Sequence, residues 1–432
     1  VLQAATDTNS ATHEVSSIAT LSNAAPAYTL NDCIRMGLDR SLSLQNKMRE
    51  QAMAESKIKE VRARLLPGVQ ARAGYNRLDD APVLENAQGS HDHYSASAGL
   101  SQLLFSGGSV SAALKAAREY RRYALYDTEQ RNKAIIRDIT TSFYDLLYTA
   151  DALRVAQESL DQWKRFEEQT QVKFQNGTSS EFDLLSAQVK VANEKPQVIA
   201  AKNQYDLAKE RFKNLIYEDN ATFTVQGELH YAPLNVELER LYSLALENRP
   251  ELQSMQSLIG MRMQDVRATR GEYFPRLYAT AAYQGSNPPS DALADDEWKW
   301  HWNAGLALSW DILDGGLRRS QVAQKQLAVE NARANQMDLV RAIKLEVNSA
   351  YLTLMHSREV VLGAKDSVHL AQKAMDIADV RYKNGLFTYL EYTDSTLSLT
   401  QAKLIHYQAL KAYMQAVAQL QYACGTEKLT RD

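Results

Sequence analysis

Few residues of this 432-residue chain are placed to do chemistry, and their spacing points to electrostatics rather than bond-making. Glu391 and Asp394 are three apart, so on a helix they share a face and present two carboxylates together. His91 and His93 flank one residue of an extended segment, a spacing two imidazoles can use for a metal. They sit in a polar loop, however, where solvated side chains are the ordinary outcome. Gly107-Gly108 and Gly315-Gly316 lead into helices as phosphate loops do, yet no Gly-x-x-x-x-Gly-Lys motif accompanies them. A sharp passage from strand to helix needs Gly equally. No His-Glu-x-x-His pair is present either. The expectation is a protein that is not an enzyme, with no catalytic, cofactor or metal site. Cys33 and Cys424 stand near opposite ends without metal spacing, as two buried thiols or as one disulfide.

Composition narrows the class further. A formal net charge of −3 gives no general basic surface, and with no nucleic-acid motif in sight no nucleic-acid partner is expected. No apolar run approaches the roughly 18 residues of a transmembrane helix. The length allows two or three ordinary domains. Residues 1–27 are rich in Ala, Ser, Thr and Asn and lack the charged-then-apolar plan of a signal peptide. They are expected to be a flexible N-terminal segment of either a processed exported chain or a cytosolic one.

The elements that must position these residues come from one unit written twice. Leu65-Leu66-Pro67 matches Tyr273-Phe274-Pro275, Gly107-Gly108 matches Gly315-Gly316, and Phe174-Gln175-Asn176-Gly177 matches Tyr382-Lys383-Asn384-Gly385, each a step of 208 residues. Each repeat opens with a short helix, the first capped by Thr29 with Asp32 three residues on. A second helix runs from about Leu42 to Leu66 and stops at Pro67; its counterpart starts at Pro250 and stops before Pro275. From Gly108 to about Phe174 the pattern is helical over roughly 67 residues, about 100 Å at 1.5 Å each. Ile139, Phe143, Leu146, Ala150, Leu153, Leu160 and Trp163 give it coiled-coil spacing. Asn176-Gly177 breaks it, and a helix bent at Pro196 follows to Ile216. Helices this long exceed the diameter of a compact globule, roughly 30–45 Å at this mass, and so imply a rod.

Between Pro67 and Gly107, and between Pro275 and Gly315, the period changes to two. From Trp302 the even positions are Trp302, Ala304, Leu306, Leu308, Trp310 and Ile312, while the odd ones are small or polar. About ten residues with one apolar face fit a tilted strand crossing a bilayer. Trp298, Trp300 and Trp302 alternate with Lys299 and His301, as an interfacial girdle facing a wet lumen would. Two hairpins give four strands per chain, too few to close, and open edges in lipid cost several kcal/mol per unpaired group. Three copies would give twelve strands, within the range of membrane barrels.

The tandem repeat, the Pro-strand-loop-strand-Gly-Gly order, the two Asn-Gly turns and Ala245-Leu246-Glu247-Asn248-Arg249-Pro250-Glu251-Leu252 together resemble the TolC-like outer-membrane factor family, from about Tyr28 to Cys424. The resemblance implies an α+β membrane protein: a homotrimer with a twelve-stranded barrel in the outer membrane of a Gram-negative bacterium and a long α-helical tunnel in the periplasm. The domains would be repeat 1 at 28–233 (hairpin about 68–105, equatorial segment 217–233), repeat 2 at 234–425 (hairpin about 276–313) and a tail at 426–432. The implied function is the passive exit duct of a tripartite drug pump or type I secretion system, meeting a periplasmic adaptor and an inner-membrane transporter.

The resemblance also assigns residues. Glu391 and Asp394 fall where the family rings its narrowest aperture with acids. Asp183 and Tyr382 fall at a family hydrogen bond that keeps the tunnel end closed, or serve plain coiled-coil packing. Phe387 replaces an arginine of the family's latch, so gating would rest on packing by Phe387 and Tyr389 or be weaker. Asn176, Gly177, Asn384 and Gly385 would form the adaptor-docking tips, and Trp298, Trp300, Trp302 and Trp310 the lipid-facing girdle. The rival reading is a non-conducting trimeric coiled-coil structural or adaptor protein. Such adaptors also carry a lipoyl-like domain, for which no segment is found, and a rod has no use for a lipid-facing Trp strand.

Overall fold

The computed structural model describes residues 26–79, 83–84, 87–88, 91–219, 223–287 and 297–429. Most of the expected N-terminal segment (1–25), the end of the tail (430–432) and the centres of both hairpin loops lie outside the described residues. The first half runs β1 (Ala27–Tyr28), α1 (Leu30–Arg40), α2 (Leu42–Ala63), β2 (Gly68–Arg77), a short antiparallel pair β3 (Val83–Leu84) and β4 (Ala87–Gln88), β5 (Asp92–Phe105), α3 (Ser109–Gln175), α4 (Glu181–Ile216) and β6 (Thr224–Val225). The second runs α5 (Leu238–Asn248), α6 (Pro250–Gly271), β7 (Arg276–Asn287), β8 (Lys299–Ser309), α7 (Leu317–Lys383) and α8 (Tyr389–Cys424). Leu30 to Leu238, Leu42 to Pro250, Ser109 to Leu317 and Glu181 to Tyr389 are each a step of 208 residues, so the duplication sets every helix start.

Local chemistry accounts for the boundaries. Thr29, Ser180 and Thr388 each open a helix with a reciprocal capping box to Asp32, Asp183 and Glu391. Pro250 takes the first turn of α6, where its missing N–H costs nothing. The ends of α4 and α8 are equivalent but differ in residue. Both close on a left-handed residue, Gly425 at φ 67° and Tyr217 at φ 54°. A side chain is strained in that conformation, and Tyr217 is the only non-glycine with positive φ among the described residues. Tyr217→Gly should therefore stabilise the protein by about 0.5–1 kcal/mol, after the extra unfolded-state freedom of Gly is subtracted. Gly425→Ala should do the opposite, because a Cβ there would come within 2.8 Å of the Asn248 carbonyl oxygen. Thermal melts followed by circular dichroism check both; a lower melting temperature for Tyr217→Gly would contradict the first.

The two long helices, 67 residues each, are the axes of the rod. α2 and α4 pack along α3; α6 and α8 lie between α3 and α7. The main core sits at mid-height, where α1 packs on α3 and α4 and α5 on α7 and α8, burying Ile139, Phe143, Phe212, Phe223, Leu241, Val347 and Leu420. Cys33 and Cys424 are both free and buried there, which resolves the cysteine alternatives in favour of thiols. Two-residue strands β1 and β6 pair in parallel beside this core. On α3 the buried stripe is Ile139, Phe143, Leu146, Val155, Ser159, Trp163, Phe166 and Thr170. Ala150, Leu153 and Leu160 are half-buried instead, because α3 is packed on two sides and no single stripe describes it.

One antiparallel sheet closes the end of the rod, in the order β2-β5-β7-β8. The register aligns Val69 with Leu100, Leu100 with Ala281 and Ala281 with Ala304; the next such row is Ala71, Ala98, Tyr283 and Trp302. These rows share one face of the pleat, so that face is apolar across all four strands. The opposite face carries Arg72, Ser97, Gln284 and His301 in one row, the last two 2.8 Å apart. The strand expected to reach residue 313 ends at Ser309. Trp310 lies beyond it and donates its indole N–H to the Tyr273 carbonyl (3.1 Å). The chain is drawn off the sheet because Arg318 binds the Asp314 carboxylate and the carbonyls of Asp311 and Glu272.

Candidate functional site

The tip of the rod farthest from the sheet is built from the two Asn-Gly turns. At the first, Gly177 donates to Phe174 (2.9 Å) and Thr178 to Lys173 (2.9 Å); at the second, Gly385 donates to Tyr382 (3.1 Å) and Leu386 to Arg381 (2.9 Å). Gly177 and Gly385 have φ of 71° and 73°, a Cβ on either would meet nothing within 4 Å, and both turns are exposed. Directly after each turn an apolar side chain stands in solvent: Phe182 is 74% exposed and its repeat counterpart Leu390 73%. Helical periodicity gives no reason to single these out; what marks them is the structure, which leaves their side of α4 and α8 uncovered.

Glu391 and Asp394 lie on the exposed side of α8, one turn apart. Glu391 has a second duty. Its carboxylate accepts from the Thr388 N–H (2.7 Å) and hydroxyl (2.7 Å), and these bonds hold its pKa below the ordinary range. Asp183 is engaged likewise. The Ser180 hydroxyl and N–H and the Ser179 hydroxyl all donate to it, and its pKa is lowered, chiefly by the Ser180 hydroxyl. Because both folded pKa values are depressed, their stabilisation is complete above the unfolded carboxylate range near pH 4 and is lost as pH falls through the lowered values. The first turns of α4 and α8 should therefore fray only below about pH 4. Amide exchange of residues 181–184 and 389–392 across pH 3–6 would register it, and fraying already at pH 6 would refute it.

Asp183 and Tyr382 do not bond to each other within the chain. Asp183 is turned into its own helix cap, whereas the Tyr382 hydroxyl lies 3.4 Å from that of Thr170. Burial raises the Tyr382 pKa, and the nearby Asp183 charge adds to the rise. Tyr382 belongs instead to an aromatic cluster around Phe166. The Phe166 ring stacks on Tyr392 at 4.5 Å, with Tyr382 at 5.0 Å and Tyr389 at 5.6 Å. Trp163 meets it edge-on at 5.8 Å. Lys173 sits 3.9 Å above the Tyr382 ring and donates to its carbonyl (2.9 Å), while burial lowers the lysine's pKa. Phe387 is half-buried against the same cluster, with the Arg381 guanidinium 5.2 Å above its ring. Phe166, on α3, is thus the residue that ties the tips of α7 and α8 to the first half of the chain.

At the other end, Trp298, Trp300 and Tyr283 stack in series at 5.5 and 5.1 Å. Trp302, Leu306 and Leu308 are exposed on the apolar face, with Tyr273, Phe274 and Trp310 exposed at the helix side of the sheet. Among the described residues no helix is long and apolar enough to cross a membrane. The sheet carries the continuous apolar face.

Comparison with known proteins matches both halves of the chain. The family described as outer membrane efflux protein matches residues 33–216 and again 241–426, once per half. Outer membrane protein TolC of Escherichia coli (strain K12) is 24% identical over 404 residues, covering 89% of this chain and 79% of TolC. The pyoverdine export outer membrane protein OpmQ of Pseudomonas aeruginosa is 23% identical, covering 84% of this chain and 78% of its own. The crystal structure of the Campylobacter jejuni CmeC outer membrane channel superposes with a TM-score of 0.79 at 18% identity, over 92% of this chain and 85% of CmeC.

Proposed function

The chain belongs to the outer membrane efflux protein family, and we propose that three copies form the passive exit duct of a tripartite efflux pump or type I secretion system. It is an outer-membrane channel protein that extends into the periplasm. The observation that carries the reading is the four-stranded sheet, apolar on one face and polar on the other, with β2 and β8 left as unpaired edges. Such edges cannot be left in lipid, and joining β8 of one copy to β2 of the next closes twelve strands around a polar lumen. The helices below would then line a tunnel. Membership of an efflux family weighs against the rival, a non-conducting rod or adaptor, which gives the apolar face no task.

The duct itself supplies no energy, so an inner-membrane transporter must drive export and a periplasmic adaptor must join the two. The adaptor's helical hairpin would dock on the tips Asn176-Gly177 and Asn384-Gly385, where Phe182 and Leu390 offer apolar contacts. In a trimer Glu391 and Asp394 would each form a ring of three around the axis at the narrowest point. Close like charges in such a ring resist joint ionisation and attract cations, against the lowering that the cap gives Glu391 within the single chain.

Planar-bilayer recording tests this reading. Mass measurement of the detergent complex should give three copies, and the channel should be cation-selective and blocked by di- or trivalent cations from the tip side. Glu391→Gln with Asp394→Asn should abolish the block and weaken selectivity; Gln preserves the capping box, so the helix start survives. A double variant with unchanged selectivity and block would reduce the two acids to a solvated helix face.

A further inference from the structure

The four helices next to the sheet pack in the order α2-α3-α6-α7. A single row of helices bent around a lumen shields its concave side and leaves its convex side open. On α6, Gln256, Met263, Arg267 and Arg270 are exposed, while Leu258, Arg262, Asp265 and Thr269 on the opposite side are half-buried. The exposed stripe therefore stands on the outside of the duct. Its counterpart on α2, 208 residues earlier, is Met48, Glu55, Lys59 and Arg62, all exposed too. Along both stripes the two positions nearest the sheet are cationic in both halves, Lys59 with Arg267 and Arg62 with Arg270. The positions farther from the sheet share no charge between the halves.

These four cations differ from their neighbours at the same height. Lys57 and Arg64 both meet Glu60, at 2.7 and 3.7 Å, and Arg262 meets Asp265 at 3.7 Å. Lys59, Arg62, Arg267 and Arg270 have no carboxylate partner among the described residues. In the second half Arg333 of α7 faces Arg267 and Arg270 across a groove floored by Val266 and Val329, with Glu330 as the acid on its rim. The chain as a whole carries a net charge of −3, so this local excess of unpaired cations is not a reflection of composition.

Their height fits one layer of a bilayer. Arg62 precedes the start of β2 by six residues and Arg270 precedes that of β7 by six. Between the cations and the strands stand the exposed apolar residues Leu65, Leu66, Tyr273 and Phe274. Along the chain the order is thus cation, apolar or aromatic belt, apolar sheet face, as at a membrane interface. Lys59 and Arg62, like Arg267 and Arg270, differ in height by about 4.5 Å, and the headgroup layer is roughly 5–8 Å deep. Long cationic side chains rising from just below the belt reach that layer.

We propose that Lys59, Arg62, Arg267 and Arg270 form a collar around the outside of the duct that binds the phosphate groups of anionic phospholipid in the adjoining leaflet. The collar rests on the reading of the sheet as a membrane barrel and adds to it a lipid class and the residues that select it. Guanidinium and ammonium groups without carboxylates favour a phosphate that carries net negative charge over one neutralised by its own choline.

Lipid preference of the full chain in vesicles tests it. Spin-labelled phosphatidylglycerol is compared with spin-labelled phosphatidylcholine at the protein boundary, in phosphatidylcholine vesicles at low salt. The native chain should favour the anionic label by about fivefold or more, the effect of one cation near an anionic surface. The ratio should shrink at 1 M salt, where the screening length is about 3 Å. Lys59→Gln, Arg62→Gln, Arg267→Gln and Arg270→Gln together should bring it close to one, and Gln keeps the helix propensity. Lys57→Gln, Arg64→Gln and Arg262→Gln, which remove the paired cations, should leave it unchanged. A quadruple variant that keeps the native ratio, or a control that loses it equally, overturns the collar. Inorganic phosphate should lower the ratio no more than chloride at equal ionic strength; a larger drop would make this a site for soluble phosphate and overturn the lipid assignment. Flotation separates the two readings: a chain that never enters the vesicles removes the duct, whereas an inserted trimer without lipid preference removes the collar alone.

Discussion

Leu306→Arg should cost about 2–4 kcal/mol of membrane stability, while Ala307→Arg, one residue on, should cost little. The two positions face opposite sides of β8. Leu306 is opposite Ala279 on the apolar face, and Ala307 is opposite Tyr278 on the other. Leu306 also lies midway in sequence between Trp302 and Trp310, which the proposed girdle would set at the two ends of the apolar band. A guanidinium at that depth has no water to reach, whereas one on the lumen side keeps its hydration. The yield of trimer in the outer-membrane fraction, with and without urea washing, measures the difference. Equal losses for both variants would mean that the faces are assigned wrongly or that the sheet does not enter lipid.

How much of this was open to a reader of the residues differs from element to element. The helix starts were legible because their signals are local: Thr29 with Asp32, Pro250, and the Asn-Gly and Gly-Gly pairs act within a turn of where they stand. The faces of the strands were legible because a period of two needs only the next neighbour. The pairing of β5 with β7, which joins the halves, carries no local signal and depends on the closed shape. Trp310 kept the alternation yet left the strand, since Arg318 draws that segment away by contacts the pattern cannot express. At the tip, Glu391 was legible as an acid on a helix face but not as a cap, although Thr388 three residues before it was the signal. The Phe166 cluster was least legible. Its members lie on three helices, those on α3 more than 200 residues in sequence from those on α7 and α8, and small departures from 3.5 residues per turn decide which way a side chain points after so many turns.

Phe166→Ala should loosen the tip more than any other single change there. The ring is 1% exposed and touches Trp163 on its own helix, Tyr382 on α7, and Tyr389 and Tyr392 on α8. Truncating a buried phenylalanine costs about 3–5 kcal/mol, the spread depending on how far the site can collapse. Collapse is limited here, because the surrounding rings are held by their own helices and by Lys173 above Tyr382. Most of the loss should fall on the packing of α7 and α8 against α3, since the mid-height core lies far up the rod and keeps its contacts. The expected result is a trimer with near-normal thermal stability whose residues 371–400 exchange amide protons faster and whose single-channel conductance rises as the α7–α8 tips move outward. Phe174→Ala is the control: this residue is the repeat counterpart of Tyr382, is 38% exposed, and lies outside the cluster, so it should change neither readout appreciably. If Phe166→Ala leaves both exchange and conductance at wild-type values, the aromatic cluster does not hold the tip closed, and the constriction must be set by contacts between copies instead.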